Sequence, residues 1–175
     1  MTGSAQYPLL FLDVDGPLIP FGAASQESPT YRIGPSSMEA GSNPLLDRIN
    51  PEYGPRLAAM PCELVWATTW TADANECVGP RLGLPELAVV SWPEPSDVDE
   101  QDLRSGLHWK TRGVVAWAAG RPFAWVDDEV TDTDRAWIRA HHRGRALLHR
   151  VDPRRGLTDQ DFDALDAWLR RTAGW

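Results

Sequence analysis

Five apolar runs of strand length, each followed by a segment with helical character, govern what this chain can fold into. The runs occupy residues 9–14, 63–67, 87–91, 123–126 and 146–149. The first opens Leu9-Leu10-Phe11-Leu12 without a polar interruption, the pattern of a strand covered on both faces in a parallel sheet. Between the runs, Asn43-Pro44 supplies a helix cap and a first-turn proline. Further helices are predicted over residues 71–81, 111–119 and 131–141. A last one starts at Thr158, where Leu157 can staple onto Phe162, and Phe162, Leu165, Trp168 and Leu169 share one face. Such alternation specifies an α/β sheet with right-handed crossovers, and ligands of such sheets bind at the carboxyl ends of the strands.

With 175 residues the chain fits one domain, residues 1–175, large enough for a real core. Residues 17–42 interrupt the alternation. They are rich in Gly, Pro and Ser, carry Phe21, Tyr31 and Arg32, and are expected to form a flap rather than a folded cap. The acidic stretch 93–106 reads as a loop. A composition of 42% hydrophobic and 24% charged residues describes a soluble globular protein. The net charge of −8 argues against general nucleic-acid binding or an anionic membrane as partner. Five acids from Glu94 to Asp102 and six arginines from Arg139 to Arg155 read as solvated surface. His141-His142 reads as the polar end of a helix. Cys62 and Cys77 are too far apart for a metal or redox motif. With no basic-then-apolar leader and no run of about 18 apolar residues, the expected location is cytoplasmic.

The chemistry-bearing residues sit where the strands end. Asp13 and Asp15, two apart at the end of the first run, can both reach a cavity above it. One can attack phosphorus and the other shuttle a proton, and Gly16 frees the chain to turn away. Asp127-Asp128-Glu129 ends the fourth run, and so many carboxylates in one space require a cation; hard oxygens select Mg²⁺. Thr68 follows the second run, where its hydroxyl and nearby amides can hold phosphate oxygens, with Thr69 as a substitute. Lys110 is the one lysine of the chain, in a sequence that otherwise uses arginine, which suggests a role for a compact ammonium. Trp70 can stack on a substrate base or sugar, whereas Trp66, Trp117 and Trp125 are expected in the core.

The order of these elements resembles the haloacid dehalogenase (HAD) superfamily, capless type. Phe11-Leu12-Asp13-Val14-Asp15-Gly16 is similar to its first motif, Val65-Trp66-Ala67-Thr68 to its second, Lys110 to its third and Val126-Asp127-Asp128 to its fourth. The resemblance spans about residues 9–149. It implies a three-layer Rossmann-like fold with a five-stranded, mainly parallel sheet. It also implies a Mg²⁺-dependent phosphatase that hydrolyses a phosphomonoester through an aspartyl-phosphate. Asp13 is then the nucleophile, Asp15 the proton donor and acceptor, and Thr68 and Lys110 the phosphoryl-holding groups. Asp128 is the favoured metal ligand with Asp127 as neighbour, beside Asp13 and the Asp15 carbonyl. Gly16, Thr69 and Trp70 border the substrate. An acid at position 15 points away from the family's dehalogenases, and Pro17 departs from its usual Thr or Val without removing a catalytic group.

Two other readings share some of these features. A metal-dependent glycosyltransferase uses an Asp-x-Asp pair, but after a nucleotide-binding unit for which eight residues before the first run leave no room. A non-enzymatic phosphate- or nucleotide-sensing domain would have no need of all four motif residues. The phosphorylated substrate and the oligomeric state are left open.

Overall fold

A computed structural model describes residues 7–22, 29–31, 43–94 and 96–174. Five strands, β1 (Leu9–Leu12), β2 (Glu63–Trp66), β3 (Ala88–Val89), β4 (Phe123–Asp127) and β5 (Ala146–Arg150), form one sheet in the order β3-β2-β1-β4-β5. Every pairing is parallel. The helices are α1 (Tyr53–Ala58), α2 (Gly79–Leu82), α3 (Asp97–Ser105), α4 (Thr111–Ala118), α5 (Asp132–His141) and α6 (Asp159–Ala173). This is a three-layer, Rossmann-like α/β fold. No helix among the described residues is long and apolar enough to cross a membrane.

The continuous apolar run of β1 has a simple use. Alternate strand residues point to opposite faces, so Leu10, Leu12, Ala124 and Val126 pack with Leu57, Leu82, Leu165 and Leu169 of α1, α2 and α6. Leu9, Phe11, Phe123 and Trp125 pack on the other face with Val114, Ala118 and Ile138 of α4 and α5. Both faces are therefore dry, and β1 and β4 carry no water-facing residue along their length. Trp66 and Trp125 are fully buried, as expected, and Trp117 packs half-buried with Phe11 edge to face.

Three local expectations are corrected. The acidic stretch 93–106 is not a loop throughout, because α3 occupies Asp97–Ser105. Ser96 and Asp99 form a reciprocal capping box, acids fill the first turn, Arg104 sits in the last, and Gly106 closes the helix at φ +81°. These end effects hold a helix whose Val98 and Leu103 stay exposed. The segment 71–81 enters helix later than expected: Ala74–Val78 is a π-turn and α2 follows it. After Asn43, Pro44–Arg48 is a single 3₁₀ stretch with the Asn43 side chain accepting from the Leu45 N–H.

The described start of the expected flap is anchored. The amides of Leu18 and Ile19 both donate to the Val14 carbonyl, Leu157 N–H donates to Pro17 O, and Phe21 N–H donates to Pro153 O. Leu18 and Ile19 are buried. The parts of the flap expectation at 23–28 and 32–42 lie outside the described residues.

Candidate active site

Register brings the acids together. Leu12 of β1 pairs with Val126 of β4, so the next residues, Asp13 and Asp127, leave the sheet side by side, with Asp13 N–H donating to Val126 O at 3.0 Å. Leu12 also pairs with Trp66 of β2, which sets Ala67 and Thr68 on the other flank of Asp13. Asp13, Asp127 and Asp128 are all buried, with one carboxylate oxygen from each lying within 4.8 Å of the others. Gly16 permits this closeness. Its φ is +91°, and a Cβ there would lie 2.7 Å from Asp128 Cγ, so the turn after β1 and the end of β4 touch only because that side chain is absent.

Lys110, 3% exposed at the start of α4, inserts its ammonium between two of the carboxylates, 2.8 Å from Asp13 Oδ2 and 2.9 Å from Asp127 Oδ2. The other Asp13 oxygen accepts the Val14 N–H at 2.8 Å. The other Asp127 oxygen accepts the Glu129 N–H at 2.9 Å. No side chain donates to the Asp128 carboxylate among the described residues. Burial pushes Asp13 up to about 7, against the pull of the Lys110 ammonium, and Asp127 adds to the rise. Asp128 is raised by burial and by Asp127. Burial also opposes the charge on Lys110, but Asp13 and Asp127 outweigh it and hold its pKa above the usual lysine range. One ammonium thus faces three carboxylates, and the site has a net deficit of positive charge.

The remaining sequence-derived candidates surround this cluster. Thr68 is fully buried; its hydroxyl accepts from the Trp70 N–H at 3.3 Å and its carbonyl from the Trp92 indole at 3.0 Å. Thr69 is exposed. The Trp70 indole N–H donates to Asp15 Oδ2 at 3.0 Å, so this tryptophan orients Asp15. Asp15 stands half-buried beside the three-carboxylate group, not within it.

Two residues that sequence reasoning did not single out hold the Lys110 loop. His108 Nδ1 accepts the Lys110 backbone N–H at 3.1 Å, which puts the ring proton on Nε2, and Nε2 lies 3.1 Å from Glu129 Oε2. That tautomer leaves no ring lone pair for a metal, although His108, Asp127 and Glu129 lie close enough to suggest one. Asp134, fully buried in α5, accepts from His108 N–H and the Thr111 hydroxyl through one oxygen and from Thr131 N–H and hydroxyl through the other. The Thr131-x-x-Asp134 spacing signals a capping box, but nothing local signals the bonds to His108 and Thr111. At the far end of α5, His142 is buried with Nε2 at 3.0 Å from Arg121 O, as befits a structural histidine.

The ends of β1, β2 and β4 and the start of α4, which brings the lysine between Asp13 and Asp127, therefore meet in one place. Residues 9–162 match the family described as the HAD domain in Swiss Army Knife RNA repair proteins. The chain belongs to this family. No curated protein and no solved structure matches it. The match covers the whole sheet and every candidate residue of this HAD domain, and it displaces the glycosyltransferase reading.

The fit of the lysine gives a direct test. Arginine at 110 must place a wider planar fork where a compact ammonium now touches two buried oxygens. Lys110→Arg is expected to fold and to lose most of the phosphatase activity proposed below. Full activity in the arginine variant would show that only a positive charge is needed there.

Proposed function

We propose that this HAD domain is a Mg²⁺-dependent phosphatase that hydrolyses a phosphomonoester through a phospho-Asp13 intermediate. The observation that carries the reading is the buried set Asp13, Asp127 and Asp128, closed on one side by Lys110. The donor set fits Mg²⁺: hard oxygen atoms only, with more negative charge than one ammonium balances. Asp128, whose carboxylate takes no side-chain donor among the described residues, is the acid best placed to hold the ion, with Asp13 and Asp127 beside it and each already bonded to Lys110 and to a backbone N–H. When bound, Mg²⁺ offsets the charge of the carboxylates and of the phosphate.

In the first step an Asp13 oxygen forms a bond to phosphorus as the bond to the leaving oxygen breaks. Asp15 gives its proton to that oxygen. In the second step Asp15 takes a proton from water, the water oxygen bonds to phosphorus, and the Asp13–phosphorus bond breaks to free phosphate. The Trp70 N–H occupies one Asp15 oxygen and leaves the other for the proton. Lys110 and the Thr68 hydroxyl stand beside Asp13 to hold the phosphoryl oxygens. The family description names RNA repair, which supports the phosphate at an RNA end as the substrate class to assay first.

A Mg²⁺ titration tests the metal assignment without relying on turnover. An ion bound only by the native state at about 100 times its Kd adds about 2.7 kcal/mol, or roughly 5–10 °C in Tm at this chain length. Wild type should show that rise, and Asp128→Ala should lose it together with phosphate release from a phosphorylated RNA end. Equal shifts in both proteins would place the metal elsewhere.

A further inference from the structure

The six arginines between Arg139 and Arg155 remain without a role, and Asp152 is the one acid among them. The structure lays them along the β5 edge of the sheet. Beside the start of β5 lies a cavity of about 380 Å³ lined by Arg135, Arg139, His142, Ala146, Leu147 and Leu148. Arg135 is committed, donating to Leu148 O at 2.8 Å and pairing with Asp132 at 3.4 Å. Arg139 and Arg143 are exposed and have no acidic partner among the described residues. At the other end of the strand, Arg150 donates from Nε to the Asp128 carbonyl at 3.0 Å, and it pairs in register with Asp127. Leu148 and Arg150, two apart, share the face that α5 covers. Arg154 stands next to Gly22 at the loop that follows the first acidic motif. Arginines therefore stand at both ends of β5, beside the candidate site and at the cavity, about 13 Å apart over four strand steps.

Net charge conceals these arginines. Asp102, the last acid of the acidic run, is held by Arg112, whose guanidinium lies over Trp137 of α5. The acids on the helices that pack against β5 are mostly paired, Asp132 with Arg135, Asp159 with Arg56, Asp161 with His149 and Asp166 with Arg170.

The geometry points to a track for single-stranded RNA: a strand whose terminal phosphate enters the Asp13 site lays its backbone phosphates over the β5 edge, held by arginines of the 139–155 run. The assignment rests on the phosphatase reading for the strand's orientation, but the contact is electrostatic and is measured apart from turnover. Backbone contacts of this kind confer no base preference, and they weaken with salt as bound counterions are released.

The test is fluorescence anisotropy with a labelled single-stranded RNA of about ten nucleotides carrying a terminal phosphate, in KCl from about 50 to 200 mM. At about 0.7 per phosphate contact, three or more contacts give a log–log salt slope of −2 or steeper. Arg139→Ala with Arg143→Ala should flatten that slope by about 1.4 and weaken binding by roughly tenfold at the lower salt. Arg104→Ala, which removes an exposed charge from acidic α3, serves as the control for net charge and should change the affinity by less than about twofold. No binding, a salt-independent Kd, a double variant that binds like wild type, or an equal loss in the control would each overturn the track. Failure of the phosphatase reading would appear separately, as absence of phosphate release from RNA that is nonetheless bound.

Discussion

Asp13→Asn is expected to lower turnover by at least about a thousandfold, the scale lost when a nucleophile that acts within a unit is removed. The amide is nearly isosteric and can still accept from the Val14 N–H, so the loss isolates the attacking charge. The same change should stabilise the metal-free protein. Asp13 is raised from 3.8 to about 7 in the folded state, so its contribution to stability is fully present below about 3.8 and is lost as the pH climbs through 7. The gain from asparagine should therefore be small near pH 4 and largest above pH 7, with roughly 4 kcal/mol as an upper limit from the shift. Lys110 keeps Asp127 as a partner in the variant, so no buried ammonium is orphaned. Two measurements check this: phosphate release with Mg²⁺, and Tm against pH with a chelator. Near-normal turnover would remove the covalent mechanism, and a lower Tm at pH 8 would show that Asp13 stabilises the fold.

Asp134→Ala should have the largest effect on stability. The fully buried carboxylate accepts four hydrogen bonds, and its loss leaves the His108 amide and the Thr111 hydroxyl unpaired and removes the side-chain half of the α5 capping box. An unpaired buried donor costs about 1–3 kcal/mol, so two give an expected loss of about 2–6 kcal/mol. Burial opposes the Asp134 charge, but bonds from Thr111, His108 and Thr131 outweigh it and hold the pKa below the usual carboxylate range. Its contribution is therefore present above the unfolded value of about 3.9 and disappears as the pH falls through the lower folded value. Denaturant unfolding at pH 7 and in acid gives the comparison: the wild-type advantage over Asp134→Ala should shrink toward low pH. Because His108 and Thr111 flank Lys110, the variant should also lose activity where it remains folded. An unfolding midpoint equal to wild type at pH 7 would discard this account.

The strand–helix alternation could be read directly because it depends on local chemistry. A run such as Leu9-Leu10-Phe11-Leu12 fits only where helices cover both faces, and the structure buries all four residues. Thr131 and Thr158 also announce their helices, because a capping box is built from residues three apart. The box at Ser96 obeys the same rule, yet acids and exposed apolar residues hide the helix it starts. The candidate residues were legible for the same reason: they follow apolar runs, and a strand end is a place that sequence can mark.

What sequence could not decide is which strand ends are neighbours. The adjacency of β1 to both β2 and β4, and the pairing of Leu12 with Val126, place Asp13 beside Asp127 across more than a hundred residues of chain. The approach of Gly16 to Asp128, the Trp70 contact to Asp15 and the four bonds to Asp134 follow from that packing. Charge shows the same division. Composition established a net −8, but only the fold put the arginine run around the edge strand β5. Strand order is chosen by the burial of the whole core, and no single segment carries that information.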